Sequence, residues 1–157
     1  MTRARDLALG LAIFIWATIL GGIVYSHIAY FPPYLSDLPK SAALVNGPYA
    51  IHDEYFWLTV HPLAILSLAA AVALNWKLRQ RRNLILVTIV IYAVAIITTA
   101  LYFVPELQAF RASQSSNISP AEWYARGQNW QHLSWVRGTF MYIAFIPLLL
   151  AWRREVH

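Results

Sequence analysis

The sequence predicts an all-α integral membrane protein, a four-helix bundle with both termini in the cytoplasm. Three observations predict it. Of 157 residues, 59% are hydrophobic and only 12% charged, too apolar a balance for an ordinary soluble domain of this size. The apolar residues fall into four runs, each near the ~20 residues that cross a ~30 Å hydrocarbon core. The basic residues gather at the edges of those runs. The net charge of +5 is therefore a topology signal, and no nucleic-acid partner is expected. The chain has no cysteine, which excludes disulfides and thiolate metal sites.

The first span covers about 7–31 and follows the basic start "MTRAR". A secretory signal core has ~7–15 residues, so this run reads as a retained anchor. The second covers about 55–76 and contains no Lys, Arg, Asp or Glu. The third covers about 84–105, and the fourth about 133–152, interrupted by Arg137. Ser119, Pro120 and Glu122 form an N-cap, a first-turn proline and a capping-box glutamate, so the fourth helix would start near 120. The short, basic link "NWKLRQRRN" makes spans two and three an antiparallel hairpin. Arg3, Arg5, Lys77, Arg79, Arg81, Arg82, Arg153 and Arg154 sit at the termini and in this link. That asymmetry places them in the cytoplasm and the two longer loops outside. The expected location is a bacterial inner membrane, with the whole chain, 1–157, as one domain. No internal repeat is evident.

Counting in from the flanks at ~1.5 Å per residue sets depths. His27, Glu54, His61, Tyr102, Glu106, His132 and Arg137 fall in one layer at the outer side. Every histidine but the terminal His157 lies on that side, with His52 just above. Glu54 and His61 share one helical stripe, as do Thr98, Tyr102 and Glu106. Gly138 to Trp152 is too short to cross the bilayer, so Arg137 is drawn toward hydrocarbon. A charge at the bilayer centre costs at least ~2.5–3.5 kcal/mol, less near an interface. Arg137 would therefore snorkel, pair with Glu54 or Glu106, or hold an anionic ligand. His61 sits next to Pro62, which frees the Leu58 carbonyl and favours a kink.

Three histidines and a carboxylate, His27, His61, His132 and Glu54, would suit zinc, copper or non-haem iron. No H-x-x-H or E-x-x-H spacing is present, so inferred depth alone carries the metal reading. A bis-histidine haem is the weaker alternative. His61 would serve as base or ligand, and Arg137 would stabilise a developing oxyanion. Tyr102 would join them as a catalytic group, and Glu106 and Trp135 would contact a cofactor. The Tyr and Trp residues at this level, from Tyr25 and Tyr30 to Trp123 and Trp130, read first as an interfacial belt. Alternatively, some would line a pocket for a flat lipophilic molecule.

The first-helix stretch "GLAIFIWATILGGIVYSHIAYFPPYL", the third-helix ending "YFVPEL" and the segment from Trp130 to Gly138 resemble the anthrone-oxygenase-like family of small four-helix membrane proteins. The resemblance covers most of the chain through loose motifs. It implies an oxidoreductase or oxygenase acting on a lipophilic aromatic, with Pro32, His132 and Arg137 as the matching positions. The stretch "IHDEYFWLTVHP" departs from the family pattern. The alternative is a non-catalytic binding module or accessory subunit for a quinone, a lipid or a membrane partner. Beside the bilayer itself, the expected partners are a lipophilic small molecule and a second copy or another membrane protein. A transporter is disfavoured, because the inner half of the spans lacks polar groups to form a path.

Overall fold

The structure, a computed structural model, describes residues 2–154. His157 lies outside the described residues. The chain is helical, with no strand among the described residues. The helices are α1 (Thr2–Tyr25), α2 (Phe31–Leu35), α3 (Glu54–Leu74), α4 (Arg79–Thr98), α5 (Val104–Arg111) and α6 (Pro120–Arg153). A π-helical turn, Ser26–Tyr30, joins α1 to α2, and another, Thr99–Phe103, joins α4 to α5. Four continuous rods result: Arg3–Leu35, Glu54–Leu74, Arg79–Arg111 and Pro120–Arg153, each long and apolar enough to cross a membrane. Three have 33 or 34 residues and the α3 rod has 21, so roughly 50 Å stands beside roughly 30 Å.

The rods run up, down, up, down. α1 packs on α3 and α6, α4 packs on α6, and α3 and α4 close the ring. Both chain ends and the 75–78 link share one end of the bundle, the terminal end. The 36–53 and 112–119 segments share the other, the loop end.

Small residues set the packing. α3 turns Ala64, Ser67 and Ala71 inward, and α6 turns in Gly127, Ser134, Gly138, Ala144 and Ala151. In lipid, close backbone approach replaces the hydrophobic drive between helices. A Cβ at Gly138 would lie 3.2 Å from Ile23, so glycine is what lets α6 approach α1 there. Large apolar side chains such as Phe14, Leu66, Val90 and Ile146 point outward, as a lipid-facing surface requires.

The two π turns share a cause. Pro32 and Pro105 lack an N–H and clash with the carbonyl four residues back. In each case the residue just before the proline donates five residues back: Phe31 N–H to the Ser26 carbonyl, and Val104 N–H to the Thr99 carbonyl. Both turns lie at a Tyr-Phe-x-Pro-x-Leu segment, residues 30–35 and 102–107, although Pro32, behind the first turn, stands opposite Val104 rather than Pro105. By contrast, α3 continues unbroken through Pro62, and α6 through Pro147.

Beyond the membrane-length core, α2, α5 and the start of α6 build a second, aromatic core. Tyr30, Phe31, Tyr34, Phe103, Phe110, Trp123 and Trp130 are buried in it. The aromatic residues at 30, 34, 123 and 130 are thus packed inside rather than arrayed as a belt. Helices that outrun the bilayer need a core of their own. At its edge, Ser119 caps α6, its hydroxyl accepting the Glu122 N–H at 3.2 Å.

Candidate functional site

At the level where the π turns begin, polar side chains converge inside the bundle. Arg137 on α6 donates from Nη1 to Thr99 Oγ1 at 2.6 Å and from Nη2 to Ser134 Oγ at 3.0 Å. Its guanidinium lies 4.1 Å from the centre of the Phe103 ring, a cation–π contact. Ser134 is fully buried and also meets His27 Nε2 at 3.0 Å. His27 Nδ1 lies 2.7 Å from the Ile23 carbonyl. A carbonyl only accepts, so Nδ1 carries the proton. With the ring neutral, Nε2 accepts from Ser134 while Ser134 accepts from Arg137. The Trp135 ring lies 4.4 Å from the His27 ring.

His61 faces the same interior from α3. Its Nδ1 is 2.7 Å from the Tyr92 hydroxyl, and its ring stacks on Trp57 at 5.5 Å and 24°. Arg137 is close enough for its charge to act on both the His27 and His61 rings. Tyr92 in turn meets the Trp16 edge at 5.1 Å.

The structure therefore brings together His27, His61, Arg137 and Trp135 of the expected set, and separates the rest. Glu54 sits at the start of α3 with His52 at 3.0 Å and Arg111 at 3.4 Å. Glu106 takes both oxygens to Arg126, at 2.8 and 2.9 Å. Neither reaches Arg137. Tyr102 accepts from Asn129 at 3.2 Å, outside the polar node. Thr99 and Phe103, the first and last residues of the π turn, are the ones that face Arg137, and the stripe of Thr98 and Tyr102 lies to one side. His132 is exposed. It lies two residues from both Trp130 and Ser134, which mark the buried face of α6, so it points to the opposite side.

The expected metal ligands His27, Glu54, His61 and His132 consequently do not assemble. Among the described residues, no group of three or more His, Asp or Glu could hold a metal ion. Nor do Glu106 and Trp135 share a pocket, since Trp135 packs on His27 and Glu106 is clamped by Arg126. A guanidinium acting on both imidazoles is also unfavourable to a metal cation between them.

A cavity of about 360 Å³ opens between α1 and the start of α3, at the loop end. Gly21 and Gly22 form one wall, Phe56 and Trp57 the other, and Tyr30 and Asp53 its polar end. Trp57 separates it from His61, whose ring stacks on the indole. Glycine is required at position 22, because a Cβ there would come within 2.4 Å of the Phe56 ring. A Cβ on Gly21 would meet nothing within 4 Å, and Thr18, Gly21 and Tyr25 are exposed along the mouth. The opening is therefore lateral, along the flank of the helices.

Asp53 is the residue that sequence reasoning passed over. It occupies the N-cap position of α3, yet its side chain makes no capping bond. It lies beside Tyr30 and Trp57 instead. Burial raises the pKa of its carboxyl above the usual range, against the opposing pull of those neighbours. The signal was "HDEY", a carboxylate at a helix start without evident need of a cap.

No family model, curated protein or solved structure matches the chain.

Proposed function

We propose that this protein takes a flat, lipophilic aromatic of phenol, hydroquinone or anthrone type from the outer leaflet into the lateral cavity and oxidises it to the quinone level. The cavity carries the reading. It is largely apolar, opens sideways along the flank of the helices, lies within the ~300–1,000 Å³ range of small-molecule sites and has one carboxylate in its lining. The loop end faces outward and both termini face the cytoplasm, on the strength of the Lys and Arg distribution. The membrane is the bacterial inner membrane. The family proposed is the anthrone-oxygenase-like one, on the motifs quoted above. The reaction would then be anthrone plus dioxygen to anthraquinone plus water. The buried node supports the reading differently: it holds Trp57, the back wall of the cavity, through His61 and Tyr92.

The test uses the protein in lipid nanodiscs with anthrone in aerated buffer, following anthraquinone by chromatography. Anthraquinone should form well above the rate with empty nanodiscs, and Gly21→Leu, which fills the cavity from an unobstructed position, should remove the excess. Absence of any anthrone binding overturns the reading. Binding without turnover favours the second one, a non-catalytic module that presents such a molecule to a membrane partner or a second copy. The observation behind that alternative is that Arg137, His27 and His61 spend their hydrogen bonds on Thr99, Ser134, the Ile23 carbonyl and Tyr92, and none of the three lines the cavity.

A further inference from the structure

We propose that Asp53 receives the hydroxyl of the bound aromatic, so that the cavity selects hydroxylated ring systems over their ether and quinone counterparts. This rests on the cavity reading above.

Asp53 is placed for recognition rather than for helix capping. The chain does use caps, as Ser119 on α6 shows with its bond to the Glu122 N–H. At α3 the equivalent side chain turns away and lines the cavity. The other carboxylate nearby, Glu54, is held by His52 and Arg111 and does not line the cavity. Asp53 does, meeting there the neutral Tyr30 hydroxyl and Trp57 indole with acceptor positions to spare. Tyr30, last residue of the first π turn, stands beside Asp53 at the same end. The rest of the lining includes the glycine backbone, Phe56, the Trp57 indole and, next to Asp53, His52. Because the Gly22 backbone already touches Phe56, an occupant would lie flat over Gly21, along the flank of α1 and the start of α3, with its polar atom at the loop end.

An ionised carboxylate only accepts hydrogen bonds. It rewards a phenol, a hydroquinone or the enol form of an anthrone. It offers nothing to a methyl ether or to a quinone carbonyl, and it repels carboxylates and phosphates. Fatty acids and phospholipid headgroups are disfavoured for that reason. A bond to a charged acceptor in a site of low polarity is strong enough to separate donor from non-donor by about tenfold or more.

The experiment compares 1-naphthol with 1-methoxynaphthalene, one aromatic body with and without the hydroxyl proton. Binding is measured calorimetrically to protein in nanodiscs, with empty nanodiscs subtracted to remove partitioning. The native protein should bind 1-naphthol at least about tenfold more tightly. Asp53→Ala should bring 1-naphthol down to the affinity of the ether and leave the ether unchanged. Gly21→Leu should abolish both. Equal affinities in the native protein, or a preference that survives Asp53→Ala, would overturn the role of Asp53 and leave the cavity standing. Failure of both ligands to bind would overturn the cavity reading and this proposal together. Preferential binding that persists in Gly21→Leu would place the site elsewhere and so overturn the proposal. The comparison within the native protein needs no variant to fold.

Discussion

Two arginines sit inside this bundle, one near each end, and they are held in opposite ways. Arg81, near the terminal end, is 5% exposed. It bonds Asp6 at 2.6 Å and gives two further N–H groups to the Arg154 carbonyl, at 2.9 and 2.6 Å. One contact set ties the start of α4 to the start of α1 and the end of α6. Arg137, toward the loop end, has no carboxylate within 4 Å among the described residues. It holds two hydroxyls and an aromatic face. The first arginine is a neutralised clasp. The second keeps its charge and part of its donor fork uncommitted. Burying an arginine in a membrane protein is thus compatible with two purposes, and the presence or absence of an acid tells them apart.

The sharpest way to break the comparison is to remove the acid from the first arginine. Asp6→Asn leaves Arg81 buried with only neutral oxygens, the new amide and the Arg154 carbonyl, to answer its charge. Removing one partner of a buried pair costs about 3–5 kcal/mol, and the partial exposure of Asp6 puts the expected loss near ~3 kcal/mol. A drop in the unfolding midpoint in detergent comparable to that of a surface variant would refute the clasp. Next comes Ser134→Ala, which strips the shared hydroxyl from both His27 and Arg137 and should cost ~1–3 kcal/mol. Rings of His27 that stay equally ordered by NMR in that variant would argue against the node. The Glu106–Arg126 pair on the flank gives a milder contrast. Glu106→Gln should cost about 1 kcal/mol or less, as partly exposed pairs do, and a larger loss would mean α5 depends on it. The smallest effect is reserved for Arg137→Met. Losing its two hydroxyl bonds is offset by no longer burying a charge in the membrane, so stability should move by less than ~1 kcal/mol. A loss as large as that for Asp6→Asn would make Arg137 a second clasp.

How much of this was legible in the chain depends on the range of the signal. Hydropathy and the sites of Lys and Arg are local, and the four apolar helices follow from them. Ser119, Pro120 and Glu122 are equally local, and α6 begins at Pro120. Depth could also be counted, and the count puts His27, His61 and Arg137 at one level, but with Glu54, Tyr102, Glu106 and His132 beside them. Azimuth could not. The stripe facing Arg137 is that of Thr99 and Phe103 rather than of Thr98 and Tyr102, one residue off in register. His132 matched the others in depth and faced the wrong way. Asp53 was missed for a different reason: its role appears only when the flank of α1, with two glycines, is laid against it. The prolines at 32 and 105 were visible throughout, but read singly they suggest breaks rather than paired turns.

The unequal rods have a consequence for where the protein works. α3, at about 30 Å, matches an average bilayer core, while its three neighbours overshoot by roughly 20 Å. The four apolar stretches are of similar length, but only at the start of α3 does the helix end where its apolar stretch does. That end is the one a change in bilayer thickness moves across the boundary. A thicker bilayer would draw the start of α3, with Asp53 and the cavity mouth, beneath the headgroups. A thinner one would lift them into water. On the reading proposed above, membrane thickness is then a variable that bears on entry, set by the lipid rather than by any moving part of the chain.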